Sequence, residues 1–444
     1  MRKFLLASVA TLGMVAGISG TAYAQAAKPP APGTLVVHLN GLLNDQINDI
    51  GSTANTVNTS AGAYKLNPIG MTGFLRLYPG FDAQTEGGLQ YGVATELRTA
   101  FTTAGQGIHE AGPGVESMVI RRAYAYVGTK EAGFVRFGQT DGIWDLLSTG
   151  EYFNYGDGNL WDSDGGVGVG AAVPSQAAPH ALFTYEGALY TTNKIVYVSP
   201  DIAGFQAGID FEPNSNGFKE GELCTGGTSS CATLASAPGG AGAFRRKNTF
   251  TGGVSYSSEF NGTGVKLMAD YLMSSPIGNS SGAPIETIIS PETGSITHET
   301  SFKRMGIAQL SGQVTYAGFL LGADMKDGQV NNGYSFLLPG QRNALFYEVT
   351  GEYTAGPYTL GIQYFNNQAA GAHLPGNGTA RTETDYGFDI GANYALTPHF
   401  GVYAVYLYGH RHQLGYDFIS STADSTAFNN VQAQAISAGA QLKW

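Results

Sequence analysis

The last nine residues, Ile436-Ser-Ala-Gly-Ala-Gln-Leu-Lys-Trp444, decide the fold class. Ile436, Ala438, Ala440, Leu442 and Trp444 are apolar, and Ser437, Gly439, Gln441 and Lys443 lie between them. Period-two alternation marks a strand with one apolar and one wet face. Here it continues to a terminal aromatic residue, although chain ends are usually frayed and solvated. A ring closing the apolar face suits a strand whose outer side meets lipid and whose end sits at the membrane interface.

The opposite end agrees. Arg2 and Lys3 precede an apolar stretch from Phe4 to Ile18, and Ala22-Tyr23-Ala24 supplies an A-x-A cleavage site. Residues 1–24 therefore read as a secretory signal peptide. An uncleaved anchor fits less well, because Ser8, Thr11 and glycines dilute the run. Residues 25–33, with Lys28-Pro-Pro-Ala-Pro32, read as an extended lead-in. No later segment approaches the ~20 continuous apolar residues of a spanning helix. An exported chain of this kind spans a membrane only as a closed barrel.

Composition is consistent with that. Charged residues make up 13%, against about 25% in ordinary globular chains. Glycine is abundant at 64 of 444 residues, and Tyr (25) and Phe (23) are numerous enough for aromatic girdles. The net charge of −11 becomes two units more negative when Arg2 and Lys3 leave with the leader. That argues against nucleic acid as a partner. The two cysteines, Cys224 and Cys231, lie in CTGGTSSC. After export they form either a small disulfide loop or a pair of free thiols, with the oxidising compartment favouring the disulfide.

Alternating segments recur along the chain. Thr34 to Leu43, Ile69 to Tyr78, Leu89 to Phe101, Met118 to Gly128 and Gly133 to Gly138 precede a long interruption. Tyr190 to Val198, Phe205 to Phe211, Asn248 to Ser258, Gly264 to Met273, Phe302 to Tyr316 and Phe319 to Lys326 follow. Ala344 to Thr354, Tyr358 to Asn367, Tyr386 to Leu396, His399 to Gly409 and Val431 to Trp444 complete the set. Connections alternate between short ones, such as Ala317–Gly318, and long ones rich in Gly, Ser, Asn and Pro, such as 213–247. Short turns on one side and long loops on the other are the pattern of a membrane barrel. The reading is all-β: a transmembrane antiparallel β-barrel of about sixteen strands, one domain over residues 34–444.

Three stretches carry a family resemblance: RRAYAYVG (Arg121 to Gly128), GFVRFGQTDG (Gly133 to Gly142) and NKIVYVSPDIAGFQAGI (Asn193 to Ile209). In this order, with a long loop between the second and third, they resemble the Gram-negative general (diffusion) porins, in an alphaproteobacterial-like form. The chain departs from that pattern in its length and in carrying Tyr190 where an inward arginine is expected. The resemblance implies an outer-membrane channel for passive diffusion of ions and small hydrophilic solutes, assembled as a homotrimer in contact with lipid and lipopolysaccharide. It also implies that Trp444, Leu442 and Ala440 signal to the barrel-assembly machinery. The long loop after the fifth strand is expected to fold into the lumen and narrow it.

That loop is unusual in its own residues. From Gln139 to Leu189 it contains Asp141, Asp145, Glu151, Asp157, Asp162, Asp164 and Glu186, with no Lys or Arg. Trp144, Tyr152, Phe153, Tyr155 and Trp161 are more rings than a solvated loop needs. Side-chain alternation places Arg76, Arg98, Arg121, Arg136 and Lys194 inside. Tyr124 and Tyr126 share the outer face with Met118 and Ile120, so Arg122 falls on the lipid side, where a charge is costly. We expect Arg122 at a subunit contact or near the membrane interface. The basic wall and the acids Asp141, Asp145, Glu151, Asp157, Asp162 and Asp164 are expected to face each other across the pore. Asp157, Asn159, Asp162 and Asp164 have the oxygens to gather Ca²⁺, but DSDGG is more often a turn, and no metal or cofactor is assigned.

The eight His show no metal-helix spacing, and neither a G-x-S-x-G nor a P-loop is present. An enzyme is therefore not expected. Two alternatives remain: a carbohydrate-selective porin with the loop aromatics as a stacking track, and a secreted β-rich carbohydrate-active enzyme using paired carboxylates. An outer-membrane enzyme or adhesin barrel lacks a supporting Ser/His grouping.

Overall fold

The computed structural model describes residues 30–59, 62–102, 118–151, 154–156, 158, 161, 173–183, 191–214, 246–276, 286–289, 296–299, 302–372, 382–423 and 427–444. Within them, sixteen antiparallel strands close into one barrel. In chain order they are β1 (Leu35–Ser52), β2 (Ile69–Gln84), β3 (Gln90–Thr102), β4 (Val119–Thr129) and β5 (Gly133–Asp141). A one-turn helix, α1 (Ile143–Leu146), opens the long segment that follows. Next come β6 (Thr191–Val198), β7 (Phe205–Asn214), β8 (Arg246–Phe260), β9 (Thr263–Pro276), β10 (Met305–Tyr316) and β11 (Phe319–Gln329). The circuit ends with β12 (Ala344–Ala355), β13 (Tyr358–Ala369), β14 (Glu383–Thr397), β15 (Phe400–His412) and β16 (Asn430–Lys443).

Each of the sixteen strands expected from alternation is present. Sequential strands are neighbours, and β16 returns to β1 with Leu42 opposite Lys443 and Ser52 opposite Ala433. Trp444 extends this ladder: its N–H donates to the Gly41 carbonyl at 3.2 Å, and Gly41 N–H donates to its carbonyl at 3.1 Å. The indole lies over Gly41, where a β-carbon would overlap it. Closure leaves no open sheet edge, as a lipid environment requires. Among the described residues no helix is long and apolar enough to cross a membrane.

The outer face is apolar and bounded by aromatic pairs. Near the short turns stand Phe205 with Tyr256, Phe319 with Tyr353 and Tyr358 with Tyr394. Near the long loops stand Phe211 with Phe250, Tyr347 with Tyr364 and Phe388 with Tyr408. Exposed Ile209, Val254, Leu321, Val349, Leu360 and Ile390 fill the band between. Tyr358 and Tyr364 lie on one strand, about 20 Å apart at the usual rise per residue. At the usual strand tilt this spans about 15 Å of height, which lies within a membrane barrel's apolar belt.

Three features correct the alternation reading. First, β1 runs past Leu43 to Ser52. Its inward Asn44, Gln46 and Asn48 are buried, while Asp45 and Asp49 break the apolar outer face. Second, β4 contains a bulge: Glu96 pairs with Arg122 and Leu97 pairs with Ile120, so Arg121 is the extra residue. One extra residue reverses every later side chain. Arg122 therefore points inward, and so do Tyr124 and Tyr126, which are 6% and 8% exposed. The expected outward Arg122, at a subunit contact or near the interface, and the expected lipid-facing Tyr124 and Tyr126 are wrong for this reason.

Third, the interior is not uniformly polar. Leu272, Ile307, Phe346, Phe365, Leu407 and Ala435 point inward and are buried. They form one apolar core with Trp144, Tyr155, Trp161 and Phe183 from the segment after β5, Tyr334 and Phe336 after β11, and Phe418 after β15. Inward residues here face packed loops rather than water, so the burial of apolar surface favours hydrophobic side chains on both faces of the strand.

Candidate functional site

The bulge gathers a basic cluster on the inner wall of β2 to β5. Arg76 and Arg98 are directly opposite in register, an arrangement that like charges make unfavourable unless something offsets it. The Glu96 carboxylate is shared by three guanidinium groups. It lies 3.0 Å from Arg121 Nη1 and 2.7 Å from Arg122 Nη1, and it accepts from Arg98 Nε. Arg122 Nε also reaches Asp141 Oδ2 at 2.7 Å. Arg76 stacks over the Phe74 ring at 4.2 Å, and Arg136 lies 5.4 Å from the centre of Tyr124. Thus Arg76, Arg98, Arg121, Arg122 and Arg136 are arrayed with two carboxylates, Glu96 and Asp141, leaving the cluster net positive. Arg122 was missed as a member because nothing in the sequence marks the bulge.

Lys194, expected in this wall, sits apart from it. It is only 5% exposed. With Asp210, it faces Gly142 at the origin of the long segment, where a β-carbon would meet both side chains.

The described acids of that segment are not pore-facing either. Asp141, Asp145 and Glu151 are all 0% exposed. Asp141 is held by Arg122, and Asp145 is buried within α1. Glu151 Oε1 lies 3.0 Å from Lys326 Nζ and accepts from Gln309. Burial and neighbouring Asp324 push the Glu151 carboxyl up to about 8, against the pull of Lys326. Glu151, Asp324 and Glu348 have oxygens within 4.8 Å of one another. Lys326 is bonded to two of these three carboxylates and serves as their counter-ion. Asp157, Asp162 and Asp164, like Asn159, Glu186, Cys224 and Cys231, lie outside the described residues.

The segment itself lies along the inner wall, fastened at successive strands. Ile143 N–H donates to Asp210 Oδ2 at 2.6 Å. Thr149 Oγ1 donates to Gln313 at 3.0 Å. Asn154 N–H and Nδ2 donate to the two oxygens of Glu352, at 2.5 and 2.9 Å. The Tyr155 hydroxyl donates to Asp389 at 2.6 Å, and Gly156 N–H to Asn393 at 2.6 Å. His180 N–H donates to Asp385 at 3.2 Å, and the Leu182 carbonyl accepts from the Tyr334 hydroxyl. Burial and the Asp389 carboxylate raise the Tyr155 phenol far above its ordinary value, so it remains a donor. The wall acids Asp210, Glu352, Asp385 and Asp389 thus hold backbone and hydroxyl groups of the segment.

The aromatic rings of the segment are core. Trp144 meets Tyr334 edge to face at 6.4 Å, Trp161 meets Phe365 at 5.9 Å, and Phe183 meets Phe346 and Phe365 at 5.3 and 5.0 Å. Trp144, Tyr155 and Trp161 are at most 9% exposed. A sugar track needs ring faces open to the lumen, so these three rings do not form one.

His180 introduces a pH dependence. Burial, with Arg411 nearby, lowers its imidazole to about 4. A neutral buried imidazole stabilises the seated segment fully above about pH 6.5. That contribution is lost as pH falls through 4, amounting to about 3 kcal/mol. Acidification from pH 6.5 to 4 is expected to reduce hydrogen-exchange protection across Val173–Phe183, whereas His180→Gln abolishes this change. Equal acid sensitivity in both proteins would refute the assignment.

Comparison with known proteins agrees with this architecture. A family profile described as Gram-negative porin matches residues 7–413. Among curated proteins compared by sequence, none matches. Solved structures do. The outer membrane channel DcaP of Acinetobacter baumannii superimposes with a TM-score of 0.54 at 11% identity, over 92% of this chain and 97% of that one. Salmonella typhi OmpF, solved in complex with daunomycin, gives 0.50 at 14% identity over 91% and 97%. Closed sixteen-strand topology, an apolar outer belt and a family match over most of the sequence lead to one assignment: the chain belongs to the Gram-negative porins and forms a diffusion channel in the outer membrane.

Proposed function

We propose that ions and small hydrophilic solutes pass by diffusion through a constriction beside the basic wall of β2 to β5, with no reaction catalysed. The observation that carries this reading is the concentration of Arg76, Arg98, Arg121 and Arg136 on four adjacent strands, with Arg76 and Arg98 directly opposite in register. The segment between β5 and β6 is assigned as the narrowing element, supported by its hydrogen bonds to inward residues of β7, β10, β12 and β14. Its acidic edge is assigned to Asp157, Asp162 and Asp164, because Asp141, Asp145 and Glu151 are buried. Opposed charge rows create a transverse field that gives cations and anions separate paths.

The test is the reversal potential in a salt gradient. Converting Asp157, Asp162 and Asp164 to Asn is expected to shift selectivity toward anions. Converting buried Asp145 to Asn is expected to leave selectivity unchanged. If the triple variant leaves the potential at its wild-type value, the acidic edge is misassigned.

The proposed assembly is a homotrimer, with subunits meeting across the outer face of β1 and β16. Exposed Asp45 and Asp49 interrupt the apolar surface there, beside outward Gln432 and Gln434. Charges on a lipid-facing strand are destabilising, and a subunit contact removes them from lipid. Elsewhere the barrel contacts lipid and lipopolysaccharide, and Trp444, Leu442 and Ala440 are assigned as the signal for the assembly machinery. Cys224 and Cys231 are assigned as a loop disulfide.

A further inference from the structure

The inner wall carries six glycines that lie beneath the segment between β5 and β6. Gly208 on β7 and Gly253 on β8 lie under Ile143, whose side chain a β-carbon at either position would meet. Gly322 on β11 lies against the backbone of Gly150. Gly361 on β13 and Gly391 on β14 lie under the ring of Tyr155. Gly409 on β15 lies under Pro179 and Trp161. Gly150 itself adopts φ +79°, a left-handed conformation, and approaches the carbonyls of Gly312 and Ala323.

Glycine inside a strand weakens it, because it adds chain entropy and offers no side chain to pack. Six on one inner surface, under one segment, have a common physical cause: each removes the Cβ that would hold the segment away from the wall. Hydrogen-bonding groups stand beside these gaps. Asp210 accepts from Ile143, Gln313 from Thr149, and Asp389 and Asn393 from Tyr155 and Gly156.

We infer that these glycines are positioning residues of the channel, forming sockets that set how far the segment stands from the wall and hence the width of the bore. The inference rests on the constriction reading above. The Tyr155 socket is the most closely built. It has two glycines on adjacent strands, a hydroxyl bond to Asp389 and an adjacent backbone bond to Asn393. A larger residue at either glycine lifts the ring and with it both bonds. At Gly361 the atoms a β-carbon would meet most closely all belong to the Tyr155 ring, whereas at Gly391 it would also press on Val405 of β15, so Gly361 is the cleaner site for the exchange. The effect therefore falls on the segment.

The test combines two readouts on purified protein, with shift on boiling used to verify a closed barrel. Hydrogen-exchange protection around Asn154–Gly156 reads the seat, and single-channel conductance reads the bore. Gly361→Val and Gly391→Val are expected to lose protection there and raise conductance at least twofold. Tyr155→Ala substitutes no residue of a barrel strand and should do the same. Adding Gly361→Val to Tyr155→Ala should produce no further change, since both act at one contact. Wild-type protection in Tyr155→Ala and Gly391→Val would overturn the socket assignment. Lost protection at unchanged conductance would uphold the sockets and overturn the constriction reading instead.

Discussion

Exchanging Arg76 and Arg98 together for Gln is expected to move the reversal potential strongly toward cations, changing the ion permeability ratio on the order of tenfold. The two guanidinium groups face each other across β2 and β3 on the inner wall. In water, a unit charge about 5 Å from a passing ion contributes about 0.8 kcal/mol, roughly fourfold in local concentration. Two such charges removed from one wall combine to the stated order. The exchange leaves Glu96 paired with Arg121 and Arg122, so the wall is not left with an isolated carboxylate. High salt should compress the difference, because charge interactions through water are screened beyond about 8–10 Å. An unchanged permeability ratio at low salt would remove these arginines from the ion path.

Arg122→Gln should behave differently, with a loss of stability of about 3–5 kcal/mol and little change in selectivity. Arg122 is buried between Glu96 and Asp141, and Asp141 is 0% exposed. Removing the guanidinium leaves a carboxylate in the interior without its partner at 2.7 Å. Exchanging both members, Arg122→Gln with Asp141→Asn, should recover most of the loss, since a neutral buried pair carries no uncompensated charge. The measurement is the temperature at which the closed barrel is lost in detergent, for the two single variants and the double variant. A double variant no more stable than Arg122→Gln would show that the ion pair is not what holds this corner. Because Arg122 points inward, subunit association of the Arg122→Gln barrel at moderate temperature should match wild type.

The two experiments separate neighbouring arginines by their surroundings. Arg76 and Arg98 are proposed to act on passing ions through water, where high dielectric and salt keep the effect weak and short-ranged. Arg122 acts on a buried carboxylate, where breaking the pair exposes the full desolvation penalty.

Much of the architecture is determined by the sequence itself. Sixteen strands, their chain order and the outward position of Leu360, Ile362 and Tyr364 follow from period-two alternation, a property of each strand that requires no partner. The long segment after β5 is equally plain, because its length, acids and rings have no place in a tight turn. The inward placement of Arg76, Arg98 and Arg136 also follows from local parity.

What required the folded chain depends on contacts between distant residues. The bulge at Arg121 is a matter of pairing between β3 and β4, so the reversal of Arg122, Tyr124 and Tyr126 is invisible within β4 alone. Asp141 and Glu151 read as pore charges until Arg122 and Lys326, from other strands, are found against them. The glycines of β7, β8, β11, β13, β14 and β15 read as weak strand residues until Ile143, Gly150, Tyr155 and Pro179 lie on them. Alternation reports whether a face meets lipid; it does not distinguish an interior filled with water from one filled with protein. That distinction arises only when the segment after β5 packs against the inner wall and turns part of that wall into a core.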